Sequence, residues 1–317
     1  MTRVDERFRC MGCAARVRLE SAVLPAAELE PLAREVRAAL DDADRRLSRF
    51  DAASDLCRLN ADPRATVPVS PLVERLVRAA AWAGEASGGL VDATLTGEIE
   101  AAGYAASRTG LAPASLAGAL AAAPPRRPAR PRPDPGFALL AVPGDGRVAR
   151  PAGVRLDSGG LGKGLAADLA ARLLPPGVRY AISVGGDLAV GGGAWEVAVS
   201  GARSGDEVHR LRAAGGVATS GIHERMWRRD DGTFAHHLLD PSTGEPAWTG
   251  LLAATAAAPS ALEAEVLAKT ALLSGPGGAR RALRRHGGVL QHEDGRVEIV
   301  APAPVVRLPR PPARIAA

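Results

Sequence analysis

A glycine-rich segment containing a single lysine is the clearest candidate for an anion-binding site. Residues 154–168 read VRLDSGGLGKGLAAD, a predicted strand that runs through glycines into a predicted helix. Glycines let the backbone approach a ligand closely, and the free amides at a helix N-terminus bind phosphate groups. Lys163 adds a mobile positive charge to these amides. The segment therefore predicts a phosphate site, although glycines also serve tight turns and helix ends.

Known phosphate-binding loops match this segment poorly. A Walker loop requires Ser or Thr after its lysine and glycine at its first position, where this chain has Gly164 and Asp157. The spacing Gly162-x-Gly164-x-x-Ala167 fits a dinucleotide-binding variant, but so short a pattern is a weak signal. A nicotinamide enzyme is therefore the least favoured interpretation.

Lysine is almost absent from this basic chain. Among 40 basic residues only Lys163 and Lys269 are lysines, and the other 38 are arginines. An arginine-biased genome explains the excess, yet each retained lysine indicates a place where a compact ammonium is needed. Lys269 follows Glu265 by four residues on a predicted helix that begins at the capping box Ser260–Glu263. A surface ion pair worth about 0.3–0.5 kcal/mol is the simplest interpretation, but this Ala- and Leu-rich helix is predicted to be largely buried.

Polar residues at predicted strand ends supply the remaining candidates. A histidine near a phosphate site can take a proton from an attacking hydroxyl, so His237 is a candidate general base, although a strand histidine is often only a structural side chain. The DPSTG sequence at 240–244 has the composition of a β-turn. Asp187 follows two glycines and Ser220 lies in a Thr-Ser-Gly sequence, and both segments could equally be turns.

The composition excludes several classes of protein. With 46% hydrophobic and 24% charged residues the 317-residue chain is globular, and no run approaches the ~18 apolar residues of a membrane helix. The N-terminus shows no signal-peptide core, so we expect a cytoplasmic protein without stable membrane insertion. Scarce aromatic residues argue against a nucleic-acid partner, whereas a net charge of +5 favours anionic ligands. Cys10 and Cys13 form a lone C-x-x-C, more typical of ordinary thiols than of a four-ligand zinc site.

The predicted elements divide the chain into a helical first part and a strand-rich second part. Strands and helices are mixed without strict alternation, which favours an α+β fold with a largely antiparallel sheet and flanking helices. We expect one domain over residues 6–301, with a Pro/Arg-rich surface loop at 123–136 and a disordered tail at 302–317. Predicted strands cover 8–20, 137–142, 154–156, 180–184, 195–199, 216–220, 251–257, 289–291 and 296–300, and predicted helices cover 26–49, 71–87, 161–174, 260–275 and a short stretch ending at 286.

Taken in order, these segments resemble the FAD:protein FMN transferases of the ApbE type over about residues 8–300. That family cleaves the diphosphate of FAD and transfers the FMN moiety to a Thr or Ser hydroxyl of an acceptor protein, releasing AMP with the help of Mg²⁺. The resemblance implies FAD as substrate, an acceptor with an FMN-binding domain as partner, and the ApbE fold. The matching segments are RCMG (9–12), SRFDAASDLCRLN (48–60), GGLVDAT (88–94), the glycine–lysine segment, GGD (185–187), ATSG (218–221), HLLDPSTG (237–244) and the helix with Glu265.

The resemblance also implies roles for individual residues. Lys163 and the glycine amides would hold the phosphates, and His237 would be the general base. That Lys269 also acts as a catalytic charge is our own hypothesis, because the family has a threonine at this position. Asp187 and Ser220 would take part in cofactor binding. The flavin and adenosine pockets would be lined by Met11, Phe50, Leu90, Val91, Asp92, Asp157 and Leu239.

The implied metal site departs most from the family pattern. The family commonly uses an Asp, a Thr one turn later on the same helix, and a backbone carbonyl of the glycine segment, which correspond here to Glu265, Lys269 and Gly160. An ammonium cannot ligate Mg²⁺, so either Thr270 or water completes the shell, or Lys269 itself supplies the charge. We therefore expect metal dependence to be weakened.

Two alternative functions would use the same residues. A hydrolase would cut FAD to FMN and AMP with water as the acceptor, and a non-catalytic flavin-binding protein would hold FAD intact. Each interpretation requires that Lys163 and the helix beginning near residue 260 meet across one cleft large enough for a diphosphate.

Overall fold

Twelve strands and eight α-helices make up most of the regular structure in the part of the chain that the structure describes. The computed structural model describes residues 1–108 and 110–303, so residues 304–317 of the predicted tail lie outside the described residues. In chain order the strands are β1 (Thr2–Cys10), β2 (Cys13–Ser21), β3 (Thr66–Pro68), β4 (Arg147–Ala149), β5 (Arg179–Val184), β6 (Asp187–Ser200), β7 (Glu207–Gly221), β8 (Met226–Arg228), β9 (Phe234–His236), β10 (Leu251–Ala258), β11 (Gly288–His292) and β12 (Val297–Val300).

The helices alternate irregularly with these strands. A short 3₁₀ helix spans Gly136–Leu139. Among the described residues, no helix is both long enough and apolar enough to span a lipid bilayer. The α-helices are α1 (Ala26–Leu47), α2 (Asp55–Ala61), α3 (Pro71–Ala86), α4 (Thr96–Ala101), α5 (Leu116–Ala122), α6 (Gly162–Ala171), α7 (Ala261–Leu273) and α8 (Gly275–Leu283).

The main sheet is eight-stranded and antiparallel throughout. Its strand order is β1-β2-β5-β6-β7-β10-β11-β12, and every neighbouring pair in this order runs antiparallel. Two further pairs, β3-β4 and β8-β9, form small separate sheets. The prediction of an α+β fold with a largely antiparallel sheet is confirmed.

Three helices cover the main sheet and determine where the core lies. Helix α1 packs on β1 and β2, α6 on β5 and β6, and α7 on β7 and β10. Helix α1 buries Leu29, Val36 and Leu40, a spacing that aligns one apolar stripe with the sheet. Helix α7 is apolar around most of its circumference, which suits a helix enclosed on several sides. The expectation that the helix carrying Glu265 and Lys269 is buried is therefore confirmed.

The first predicted strand, 8–20, is in fact a hairpin. Strands β1 and β2 pair from Thr2↔Ser21 to Cys10↔Cys13 around the two residues Met11 and Gly12. Both turn residues have positive φ, 50° and 70°, which is the backbone that a tight two-residue hairpin requires. The sequence pattern missed this turn because methionine rarely adopts positive φ.

Two other predicted strands are wrong. Residues 137–142 begin in the 3₁₀ helix, because the buried Phe137 side chain is packed beside α3. Within this range only Ala141 pairs as a strand residue would, in an isolated bridge with Ala149 of β4. Residues 154–156 have no strand partner, and the side-chain amide of Asn60 takes that role. Its Oδ1 accepts from the Leu156 amide and its Nδ2 donates to the Leu156 carbonyl, each at 2.8 Å. These two bonds satisfy the backbone of Leu156 as a neighbouring strand would.

Candidate active site

Two adjoining cavities lie between the glycine segment, the residues at and just after the end of α1, and the residues that follow β9. Their volumes are about 220 Å³ and about 100 Å³. Both cavities are lined by Tyr104, Asp157, Gly159 and Arg225, so they form one continuous cleft. Since the glycine segment forms part of the wall of both cavities, a ligand in the cleft would pass directly over it.

Helix α6 is joined to the N-terminus of α7. Asp168 on α6 accepts hydrogen bonds from the Ala261 and Leu262 amides, each at 2.9 Å. Ser260 caps the same helix end by accepting from the Glu263 amide at 3.2 Å. These contacts satisfy three of the amides that an α-helix leaves unpaired at its start. The helix that begins in the glycine–lysine segment and the capped helix are therefore neighbours, while a diphosphate-sized cleft between them stays a prediction.

A buried cluster of four charges lies where these helices touch. The Lys163 ammonium pairs with Asp187 on β6, and its Nζ lies 3.2 Å from Glu265 Oε1. The Lys269 Nζ lies 3.0 Å from the same oxygen. Glu265 Oε2 accepts from the Gly164 amide at 2.8 Å. Both carboxylates are almost completely buried, whereas each lysine keeps part of its side chain exposed.

The pKa values of this cluster reflect burial opposed by pairing. Burial lowers the pKa of Lys163, and the neighbouring Glu265 carboxylate opposes that shift. Burial alone would raise the pKa of Glu265, but Lys163 and Lys269 outweigh it and bring that pKa below its ordinary value. Glu265 is therefore a permanent carboxylate that holds two ammonium groups at the edge of the cleft.

The two consecutive histidines have different surroundings: His236 lies in the core and His237 faces the second cavity. His236 is fully buried, with its ring edge-on to Trp248 at a centroid distance of 4.9 Å, and burial lowers its pKa to about 3. His237 lines the second cavity, and burial followed by the nearby Arg225 guanidinium lowers its pKa well below 6.5. Within the described residues the buried Nδ1 of His237 has no hydrogen-bond partner. At neutral pH His237 is uncharged and able to accept a proton.

The turn that follows His237 is stabilised by Asp240. Asp240 Oδ1 accepts from the backbone and hydroxyl of Ser242, at 3.0 Å and 2.8 Å, and from the Arg130 amide at 3.0 Å. Oδ1 of Asp240 therefore shapes the turn, as the sequence interpretation of DPSTG expects.

The sequence interpretation missed two arginines that line the cleft. Arg225 lines both cavities and donates to the Tyr104 hydroxyl at 3.0 Å. Arg49 is almost buried, donates to Asp157 Oδ2 at 3.2 Å, and lies over the Phe50 ring at 4.4 Å from its centroid. Arg49 lies inside the 48–60 segment that carries the resemblance, whereas Arg225 lies four residues after the ATSG segment. With 38 arginines in the chain, residue type alone does not single out these two.

Most of the predicted site residues line this cleft, and four do not. Ser220 is buried in β7 and lines neither cavity, and Thr270 also lies away from both. Asp187 and Glu265 lie behind the lysines that they hold. The residues that line one or both cavities are Met11, Phe50, Leu90, Val91, Asp92, Asp157, Gly160, Lys163, His237, Leu239 and Lys269.

The three residues predicted to hold a metal do not form an open coordination site. Both oxygens of Glu265 already accept from ammonium or amide groups. The hydroxyl of Thr270 donates to the Val266 carbonyl at 2.8 Å, as a helical threonine commonly does. Within residues 1–108 and 110–303, no group of three or more His, Cys, Asp or Glu side chains is arranged to hold a metal ion. These donors do not fit Mg²⁺, which requires a near-octahedral shell of oxygens.

The close approach of α6 to α7 depends on Gly164, and we expect Gly164→Ala to be destabilising. A Cβ at this position would lie 2.6 Å from the Ala261 carbonyl oxygen, a backbone atom that cannot move aside alone. Overpacking of this kind lowers the free energy of unfolding by about 1–3 kcal/mol. Urea denaturation measures it, with Gly277→Ala on α8 as control, because a Cβ there meets nothing within 4 Å. Equal stability of the two variants would contradict the tight α6–α7 contact.

Comparisons with known proteins agree with this geometry. A family model described as the ApbE family matches residues 11–291. The FAD:protein FMN transferase of Klebsiella pneumoniae (strain 342) is 30% identical over 278 residues, covering 82% of this chain and 76% of the relative. The crystal structure of the ApbE protein from Thermotoga maritima superposes with a TM-score of 0.77 at 24% identity, covering 94% of this chain and 97% of the other. The apo form of the Pseudomonas stutzeri flavinyl transferase ApbE has a TM-score of 0.72 at 27% identity, covering 94% and 95%.

Proposed function

The chain belongs to the ApbE family, and we therefore infer that it is an FAD:protein FMN transferase. It cleaves the diphosphate of FAD and transfers the FMN moiety to a Thr or Ser hydroxyl of an acceptor protein, with release of AMP. One observation of this chain carries the proposal: Lys163, Lys269 and Arg225 line the same cleft as the uncharged His237. Three cations beside a neutral base are what phosphoryl transfer from a dianionic diphosphate requires.

Substrate binding follows from the two parts of the cleft. The first cavity offers the flat Phe50 and Tyr104 rings with Met11, which suit an aromatic ring system. The second offers Leu90, Val91 and Leu239 with the Asp92 carboxylate nearby. We propose that the isoalloxazine and adenosine ends of FAD occupy these two parts and that the diphosphate crosses the glycine segment between them.

The chemical step uses His237 as the base and the three cations as charge stabilisers. The acceptor hydroxyl oxygen forms a bond to the phosphorus of the FMN half, and His237 takes the hydroxyl proton. The bond from that phosphorus to the bridging oxygen breaks, and AMP leaves with this oxygen and its electron pair. Lys163, Lys269 and Arg225 neutralise the negative charge that moves to the leaving phosphate. Because the Glu265 and Thr270 donors do not fit Mg²⁺, no step here is assigned to a metal ion.

The hydrolytic and non-catalytic alternatives are not favoured, because the matching curated relative is a transferase. The partner is an acceptor that carries a Thr or Ser in an exposed segment of an FMN-binding domain. Cleavage by water instead of an acceptor hydroxyl would use the same groups, so product analysis separates the two reactions.

Mass spectrometry of an acceptor domain incubated with FAD and the purified protein tests this function. We expect the acceptor to gain the mass of one FMN less one water, with one AMP released for each modified chain. The matched control is the same domain with its acceptor Thr replaced by Val. Free FMN formed equally with both domains would indicate a hydrolase, and intact FAD recovered with the protein would indicate a binding protein.

A further inference from the structure

We propose that Lys269, held by Glu265, supplies the positive charge that a divalent cation would otherwise supply at the diphosphate, so that this enzyme transfers FMN without a metal. The proposal rests on the proposed function and concerns the charges within the same cleft. It follows from the mismatch between the Mg²⁺ site that the family resemblance implies and the groups that this chain places there.

Both oxygens of the Glu265 carboxylate are occupied by groups of the chain itself. Oε1 accepts from Lys163 and Lys269 at 3.2 Å and 3.0 Å, and Oε2 accepts from the Gly164 amide at 2.8 Å. Glu265 has no exposed surface, so a hydrated Mg²⁺ could reach it only by displacing an ammonium. The charge that balances this carboxylate is therefore built into the chain.

Lys269 occupies the helix position that the resemblance implies for a metal ligand. It lies one helical turn after Glu265, and a Cβ added to Gly160 would lie 3.7 Å from Lys269 Cε. The lysine side chain thus runs beside the Gly160 backbone and lines the second cavity together with His237. Thr270, the remaining oxygen donor of the predicted site, is bonded to its own helix instead.

The charges of the buried cluster balance one another. Lys163 and Lys269 carry two positive charges against the two negative charges of Asp187 and Glu265, so the cluster is neutral. Its anions are buried while its cations line the cleft, so the diphosphate faces the positive side. An ammonium is a compact point charge and can stand in for a cation where a forked guanidinium could not. The chain has only two lysines, and both contact the Glu265 carboxylate. This agrees with a need for compact positive charges at this place.

The experiment measures AMP release from FAD in the presence of acceptor, with EDTA or with added Mg²⁺. We expect the wild-type rate to be the same in both conditions. Lys269→Met should lower the rate by about 10²–10³-fold in both, since it removes one charge aimed at the transition state. Lys269→Thr should be equally slow in EDTA and should recover with Mg²⁺, because Glu265, the new hydroxyl and the Gly160 carbonyl then offer oxygens to a metal.

Two further measurements keep the outcome interpretable. Electron paramagnetic resonance of added Mn²⁺ should show one bound ion in Lys269→Thr and none in the wild type. Arg280→Met, which removes a cation of an exposed ion pair with Glu298, serves as control and should leave the rate unchanged. Thermal unfolding of each variant establishes that it is folded.

Two results would overturn the proposal: wild-type AMP release that disappears in EDTA and returns with Mg²⁺, or a folded Lys269→Met that retains the wild-type rate. Neither result would affect the proposed function. Absence of both AMP release and FMN transfer in the wild type, with and without Mg²⁺, would instead mean that the proposed function itself is wrong.

Discussion

Lys163→Met is expected to slow FMN transfer by about 10²–10³-fold, because it removes a cation placed beside the diphosphate path. It should also destabilise the protein, since Asp187 is 1% exposed and would lose its ammonium partner. Leaving a buried carboxylate unpaired costs about 3–5 kcal/mol of unfolding free energy. Steady-state AMP release measures the first effect, and urea denaturation measures the second.

A double variant separates these two effects of Lys163. In Lys163→Met combined with Asp187→Asn both charges are removed, so the stability should return most of the way to that of the wild type. Glu265 keeps Lys269 and the Gly164 amide as partners in this variant. The transfer rate should stay low, because the missing cation is not replaced. Recovery of the rate along with the stability would show that Lys163 has only a structural role.

His237→Asn is expected to lower the transfer rate by about 10²–10⁴-fold, the usual contribution of a general base. Asparagine is close in size and polar, so the affinity for FAD should change little. A fluorescence titration with FAD and single-turnover AMP release measure the two quantities separately. The control is His209→Asn, at a half-buried position of β7 that lines neither cavity of the cleft. Equal loss of FAD affinity and rate would assign His237 to substrate binding instead.

The pH dependence of the rate tests the same histidine without a substitution. Burial, followed by the nearby Arg225, lowers the pKa of His237 well below 6.5. A base with a lowered pKa stays unprotonated as the pH falls, so the wild-type rate should remain flat through about pH 6.5, the ordinary value for histidine. The rate should fall only when the pH approaches the lowered pKa. A tenfold loss per pH unit beginning near pH 6.5 would contradict this environment.

Local patterns in the sequence predict much of this protein. The apolar spacing of α1, the capping box at Ser260 and the apolar character of α7 each depend on residues within a few positions of one another. The order of the short motifs along the chain was sufficient to indicate the family, which the comparisons then established. The strands predicted at 137–142 and 154–156 are wrong because their outcome depends on distant partners, α3 and Asn60.

The local sequence does not determine which of the two consecutive histidines, His236 or His237, faces the cleft. His236 and His237 are chemically identical, and strand alternation predicts only that they face opposite sides. The tertiary structure decides which of the two histidines faces the cleft. Trp248 packs against the ring of His236, and Arg225 lies near His237. The catalytic role of His237 remains a prediction, whereas its position in the cleft is a property of the fold.

The amino-acid sequence alone determined the residue types, the element pattern and the order of motifs, because these are properties of neighbouring positions. Only the tertiary structure decided which charges meet. Lys163 and Glu265 are 102 positions apart and Arg49 and Asp157 are 108 apart, yet each pair lies within 3.2 Å. Such contacts arise from the packing of α6 against α7 and of α1 against α6. For that reason the sequence predicted site roles for both Lys269 and Thr270. In the structure Lys269 lines the cleft, whereas the Thr270 hydroxyl is hydrogen-bonded to its own helix.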